Sequence, residues 1–206
     1  MSGVENTVGP GAPRRAERGL RELGTGRLDL QAVRPADGDE LHRLFLDPQV
    51  RRYLLDDEEM PREFVDQVID DSDRAFSDHG VGLFVMREKG RERIVGFVGF
   101  REFFEPPELQ LLYGLHPDVW GRGYATESSR AIIDHAFSQL AFEEVIAATD
   151  PPNNASLAVM RRLGLRDRPS VEKDGRTTLY TGIRRDQWRS DHGEGEADRG
   201  SGREPG

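Results

Sequence analysis

Leu115-His116-Pro117-Asp118-Val119-Trp120-Gly121-Arg122-Gly123-Tyr124-Ala125-Thr126-Glu127 carries a strand end, a glycine turn and a helix start in one continuous run. Glycine adopts positive φ without steric cost and lets the backbone approach a ligand closely. The first amides of a helix lack internal partners, and the positive end of the helix dipole lies behind them. Gly121 and Gly123 ahead of a helix therefore build an anion site suited to a pyrophosphate; a turn that merely reverses the chain is the plainer alternative. A P-loop is excluded because no Gly-Lys-Ser/Thr is present. A dinucleotide fingerprint would need a third glycine where Thr126 stands and an acid closing the next strand, whereas Glu143 and Glu144 precede theirs.

Periodicity on either side supplies the frame. Upstream, Arg27 to Val33 alternates as a half-buried strand, and Asp37 is placed to cap a short helix with Leu41, Leu44 and Phe45 on one face, ending at Asp47-Pro48. Pro61 opens a longer helix with Phe64, Val65, Val68, Ile69 and Phe76 inward. Val81 to Arg87, Ile94 to Phe100 and Leu109 to Leu115 read as three strands in a meander, with Lys89-Gly90 and Glu105-Pro106-Pro107 as the breaks. Downstream, a helix from Gly123 to Leu140, a strand from Val145 to Thr149, a helix from Asn154 to Leu163 and a last strand from Thr177 to Ile183 follow. The predicted order is β-α-α-β-β-β-α-β-α-β.

The ends differ in composition. Residues 1–26 are rich in Gly, Pro and Arg, and residues 189–206 lack any large apolar side chain, so both are expected to be disordered tails around one domain at 27–188. A short helix around Arg14 to Leu23 is the one local alternative. With no cysteine, disulfide frameworks, thiol nucleophiles, iron–sulfur clusters and zinc fingers drop out. No run approaches the roughly 18 apolar residues of a membrane span, and Met1-Ser2-Gly3-Val4-Glu5 lacks the order of a secretory signal, so a cytoplasmic protein without membrane contact is expected. A formal charge of −9 argues against nucleic acid as a partner and favours cationic ones. His79, His116 and His135 have no metal-ligand spacing, and no metal is expected.

The run from Trp120 to Glu127 resembles the acetyl-CoA pyrophosphate loop of the GNAT N-acetyltransferases, with Gly123 and Ala125 at the small-residue positions. Trp120 stands where Gln or Arg is commonest, as it does in the branch resembling ribosomal-protein alanine N-acetyltransferases. A second block agrees: Asn153-Asn154-Ala155-Ser156 followed by Arg161-Arg162-Leu163-Gly164-Leu165 resembles that branch's Asn-x-x-Ser and Lys-x-Gly-Phe. The resemblance implies an α/β fold with a mixed, mostly antiparallel sheet, a splayed parallel strand pair and helices on both faces. It implies acetyl-CoA as cosubstrate and an amine as acceptor. The backbone of Leu115 and His116 would pair with pantetheine. The amides of Gly121, Arg122, Gly123, Tyr124, Ala125 and Thr126 would hold the pyrophosphate, Arg122 adding charge, and Asn153 would complete the cofactor site.

Amine transfer needs a neutral nucleophile, hence a general base, and a proton for the departing thiolate. In many relatives a tyrosine supplies that proton from the position of Met160 here, so the role passes to Ser156, one turn earlier; Asn153 or Asn154 capping the helix, with Ser156 merely in its first turn, is compatible. The base position common in the family holds Gln110. Glu108, two residues earlier on the same strand face, is its nearest replacement, with Glu102 and Glu105 as weaker rivals. Tyr180 is a candidate lining residue, and Asp150 reads as shaping the loop before Pro151-Pro152. Asp56 to Asp73 carries nine acids against one base, Arg62, and either attracts a cationic acceptor or forms a solvated helix face. A protein N-terminus or a small cationic amine is the expected acceptor; an aminoglycoside, or acetyl-CoA sensing without turnover, are the alternatives. A homodimer stays open.

Overall fold

The computed structural model describes residues 20–103, 108–173 and 175–192. The break at Glu105-Pro106-Pro107, the rival Glu105 and most of both tails lie outside them. In chain order the elements are β1 (Glu22–Gly24), β2 (Leu28–Ala32), α1 (Gly38–Leu46), α2 (Pro48–Leu54), α3 (Arg62–His79), β3 (Leu83–Glu88), β4 (Ile94–Phe103) and β5 (Glu108–Leu115). After them come α4 (Tyr124–Gln139), β6 (Glu144–Thr149), α5 (Asn154–Arg162), β7 (Arg166–Asp167), β8 (Val171–Lys173), β9 (Arg176–Arg184) and α6 (Arg185–His192).

The sheet runs β1-β2-β3-β4-β5-β6-β9-β7, with β8 on β9. All pairings are antiparallel except β5 with β6. Each face carries its own core. On one, α1 to α3 pack Leu41, Phe45, Val65 and Ile69 against Val85, Ile94 and Phe97. On the other, Ile132, Ile133 and Phe137 of α4, Leu163 and Trp188 pack against Leu28, Leu30, Val98 and Leu111. The mixed sheet with helices on both faces is the expected class.

Four departures from the sequence expectation are instructive. Residues 22–24 form an edge strand, not tail or helix, because Leu23 meets Leu30 in register and Arg21 pairs with Asp73 at 2.6 Å. The C-terminal boundary also moves outward, since α6 continues to His192, anchored by Trp188 Nε1 donating to Asp134 at 2.6 Å. α1 ends at Asp47-Pro48 as expected, but Pro48 also begins an unforeseen α2: its missing N–H is harmless at a first helical position, and Asp47 caps the helix through Gln49 N at 2.9 Å. Asp37 precedes α1 yet makes no side-chain cap; its carboxylate accepts from Arg34 N at 2.9 Å and from Arg87 at 2.6 Å.

β3 and β4 approach too closely at one point for any side chain. A Cβ on Gly99 would stand 2.0 Å from the carbonyl oxygen of Gly82. Gly99→Ala is therefore expected to cost about 1–3 kcal/mol, read as a lower urea midpoint at unchanged m-value.

Candidate active site

β5 and β6 share a single register point, Gln110 opposite Ile146. Beyond it the strands diverge, although each stays bound to its outer neighbour, β5 to β4 along its whole length and β6 to β9 along all six residues. The gap is an open cleft of about 1210 Å³ that crosses the sheet. Tyr113, Leu115, Val159 and Met160 wall it on the α4–α5 side, and Val50, Leu54 and Leu112 on the α1–α3 side.

Strand parity decides which backbone groups face the gap. His116 N donates to Val95 O at 3.0 Å, so in this antiparallel ladder the alternate residues Leu115 and Tyr113 direct their N–H and C=O away from β4, toward the splay. The carbonyl of Leu115 accepts from Trp120 Nε1 at 2.9 Å. This corrects one expectation: His116 is committed on both sides, its own carbonyl accepting from Val119 N at 3.1 Å, and it does not line the cleft. Tyr113 does line it. Ladder parity from Pro117 backwards was the missed signal.

Gly121 and Gly123 have φ of 76° and 80°, in the left-handed region that glycine tolerates. The helical bond that opens α4, Glu127 N to Gly123 O at 3.0 Å, leaves the amides of Tyr124, Ala125 and Thr126 ahead of it, at the cleft wall. Glu127 fixes the turn to the sheet. It accepts from Thr25 Oγ1 at 2.6 Å, Arg27 N at 2.9 Å and Arg27 Nε at 2.7 Å. Tyr124 lies under the Arg27 guanidinium, 4.7 Å to its ring centre, and donates to Glu88 at 2.6 Å. Glu88 also holds Arg122 at 3.2 Å, so Arg122 is a paired charge beside the turn. Arg130 and Arg162 line the cleft as well, without an ion pair among the described residues.

Asn153 and Ser156 come together as expected. Asn153 caps α5 by accepting from Ser156 N at 3.1 Å, and Tyr113 donates its hydroxyl to Ser156 O at 3.2 Å. Burial pushes the Tyr113 phenol up to about 12. Met160 is buried. Glu108 stands behind the wall: Gln110 lines the cleft and donates Nε2 to Glu108 at 2.7 Å. Tyr180 bonds Gln110 from β9, and burial first, then the Glu108 charge, raises its pKa. Glu102 is spent on His79 at 2.8 Å. Asp150, read from sequence as a loop-shaper, lines the cleft. So do Gln49 and Tyr53 of α2, the helix that sequence reasoning lacked.

Comparison with known proteins fits this geometry. A family model described as the acetyltransferase (GNAT) domain matches residues 27–166. The chain belongs to the GNAT acetyltransferase family. As a GNAT acetyltransferase it is 29% identical over 157 residues to the Bacillus subtilis (strain 168) protein YkkB, covering 74% of this chain and 89% of YkkB. Its fold matches a solved acetyltransferase from Agrobacterium tumefaciens strain C58 with a TM-score of 0.70 at 23% identity, over 88% of this chain and 99% of that one. It also matches RimL, a ribosomal alpha-N-protein acetyltransferase solved in complex with coenzyme A, with a TM-score of 0.66 at 16% identity, over 78% of this chain and 95% of that one. The GNAT fold and an acyltransferase activity follow.

The Glu127 anchor has a measurable signature. Burial works to raise its pKa, but the hydrogen bonds from Thr25 and Arg27 outweigh it and hold the carboxyl below its ordinary value. A depressed folded pKa stabilises above the unfolded value of about 4.3 and stops doing so as pH falls through the folded one. Glu127→Gln is expected to lower unfolding free energy by about 1–3 kcal/mol at pH 7, with the gap to the parent protein closing below about pH 4; urea titrations at several pH values measure both.

Proposed function

We propose that this GNAT acetyltransferase transfers the acetyl group of acetyl-CoA to a primary amine, either a protein N-terminus or a small cationic amine. The observation that carries the proposal is the cleft through the sheet, with unpaired strand edge on one wall and a helix amino end on another. A pantetheine arm has amides at the spacing of a strand, so the outward groups of Tyr113 and Leu115 suit it. The pyrophosphate would lie on the amides of Gly121 to Thr126 at the positive end of α4. Arg130 and Arg162, both lacking partners among the described residues, are the cations fitted to the remaining phosphate charge.

The chemistry is a direct displacement. The amine nitrogen attacks the thioester carbonyl, the C–N bond forms, the C–S bond breaks, and coenzyme A leaves as a thiolate. The amine enters as an ammonium ion at neutral pH and must first lose a proton. Glu108 is our candidate base, acting through water; Gln110, which donates Nε2–H to Glu108, cannot itself take the proton. Ser156 is our candidate donor to the thiolate: it lines the cleft, with its amide held by Asn153 and its carbonyl by Tyr113.

Gly123→Asp tests the cosubstrate site. A side chain at φ 80° is strained, and its charge opposes the phosphates. Affinity for acetyl-CoA is expected to fall about 10- to 100-fold with the fold kept, by calorimetry and circular dichroism; unchanged affinity would overturn the assignment. Ser156→Ala separates chemistry from binding: kcat is expected to fall about 10-fold or more with the acetyl-CoA dissociation constant nearly unchanged, whereas equal losses in both would make Ser156 a binding residue.

A further inference from the structure

The half of the cleft on the α1–α3 face has a chemistry that narrows the acceptor. Its walls are Val50, Tyr53 and Leu54 of α2, Phe103 at the end of β4, and Leu112 of β5. Asp150 directly follows β6, whose Val145 and Ala147 enter the opposite core, and it lines the cleft. Among the described residues lining the cleft the carboxylates are Glu127, held by Thr25 and Arg27, and Asp150. Asp150 has no ion pair among the described residues.

The acidic segment does not contribute. None of its nine carboxylates lines the cleft. Six are held by arginines: Asp56 by Arg176, Asp57 and Glu59 by Arg51, Asp66 by Arg62, Asp71 by Arg74 and Arg101, and Asp73 by Arg21. The arginines that line the cleft, 122, 130 and 162, all belong to the α4 turn, α4 or α5. Among the described residues a polycation entering here would meet Asp150 and three cations, and a charge removed from water without a partner is costly. Two links also cross the acceptor mouth. Tyr53 donates its hydroxyl to Pro152 O at 3.4 Å, and Arg176 pairs with Asp56 at 2.6 Å. They tie α2 and the turn after it to the far side of the splay.

We propose that the acceptor is a compact monoamine with an aromatic or branched alkyl body, its ammonium on Asp150 and its body against Tyr53, Leu54 and Phe103. The proposal rests on the acetyl-transfer reading above. A peptide N-terminus needs an open trough for the residues behind it, which the two links obstruct; an aminoglycoside or polyamine needs several carboxylates.

The test is initial-rate thiol release from acetyl-CoA with 2-phenylethylamine, spermidine, kanamycin and a peptide with a free N-terminal serine, alongside calorimetric titration with acetyl-CoA alone. The expected result is a kcat/KM for 2-phenylethylamine about 100-fold or more above the other three. Asp150→Asn is expected to raise its KM about 10- to 100-fold, and Tyr53→Ala about 10-fold, both leaving acetyl-CoA affinity unchanged. Absence of acetyl-CoA binding would overturn the underlying reading. Acetyl-CoA binding with the peptide, spermidine or kanamycin preferred, with no turnover of 2-phenylethylamine, or with an unaltered KM in Asp150→Asn, would overturn this proposal alone.

Discussion

Backbone amides and carbonyls inside a protein need partners, and a sheet ordinarily supplies them strand by strand. Here two adjacent strands, β5 and β6, decline to do so beyond Gln110 and Ile146. Neither is free to close the gap. His116 locks the end of β5 onto β4 through Val95, Pro117 ends the strand, and the Trp120 indole takes the Leu115 carbonyl. β6 is held by β9 from Glu144 to Thr149. The splay is thus fixed from both outer sides, and the inner edge of β5 is left without a strand partner beyond Gln110.

The same opening divides charge across the sheet. The α4–α5 side has a helix amino end, two left-handed glycines and the cleft arginines, an environment for phosphate. The α1–α3 side carries Val50, Leu54 and Leu112 with buried Gln110, and among the described residues Asp150 is the cleft carboxylate without an ion pair. The thioester of a bound cosubstrate would pass from one environment to the other, which is where an amine has to meet it. The acidic segment from Asp56 to Asp73 bears on this less than composition implied, because arginines of α2, α3, β4 and β9 hold most of its carboxylates in local ion pairs. Such exposed pairs are worth little individually, yet they cancel the field that a solvated acidic face would project.

Where one periodicity dominates, the sequence was legible. The long apolar run of β4, the amphipathic stripe of α3 and the glycine turn before α4 all stand where the pattern put them. The cosubstrate side was readable for the same reason: positive φ at Gly121 and Gly123 is a local demand that only certain residues meet. The acceptor side was not. It depends on α2, which starts at the same Pro48 that follows the end of α1, and on Asp150, which lies just past β6 and reaches the cleft only through the tertiary fold. His116 failed on parity too, since its amide serves β4 and not the splay, as counting back from Pro117 would have indicated. Edge strand β1 was invisible because three residues carry no period of their own.

Amide hydrogen exchange along β5 and the α4 turn, with and without coenzyme A, tests the central claim most directly. Binding in the splay predicts slowed exchange at Tyr113 and Leu115 and across Gly121 to Thr126, with Gly114 and His116 unaltered because β4 already protects them. Exchange unchanged at Tyr113 and Leu115 in the presence of saturating coenzyme A would contradict it.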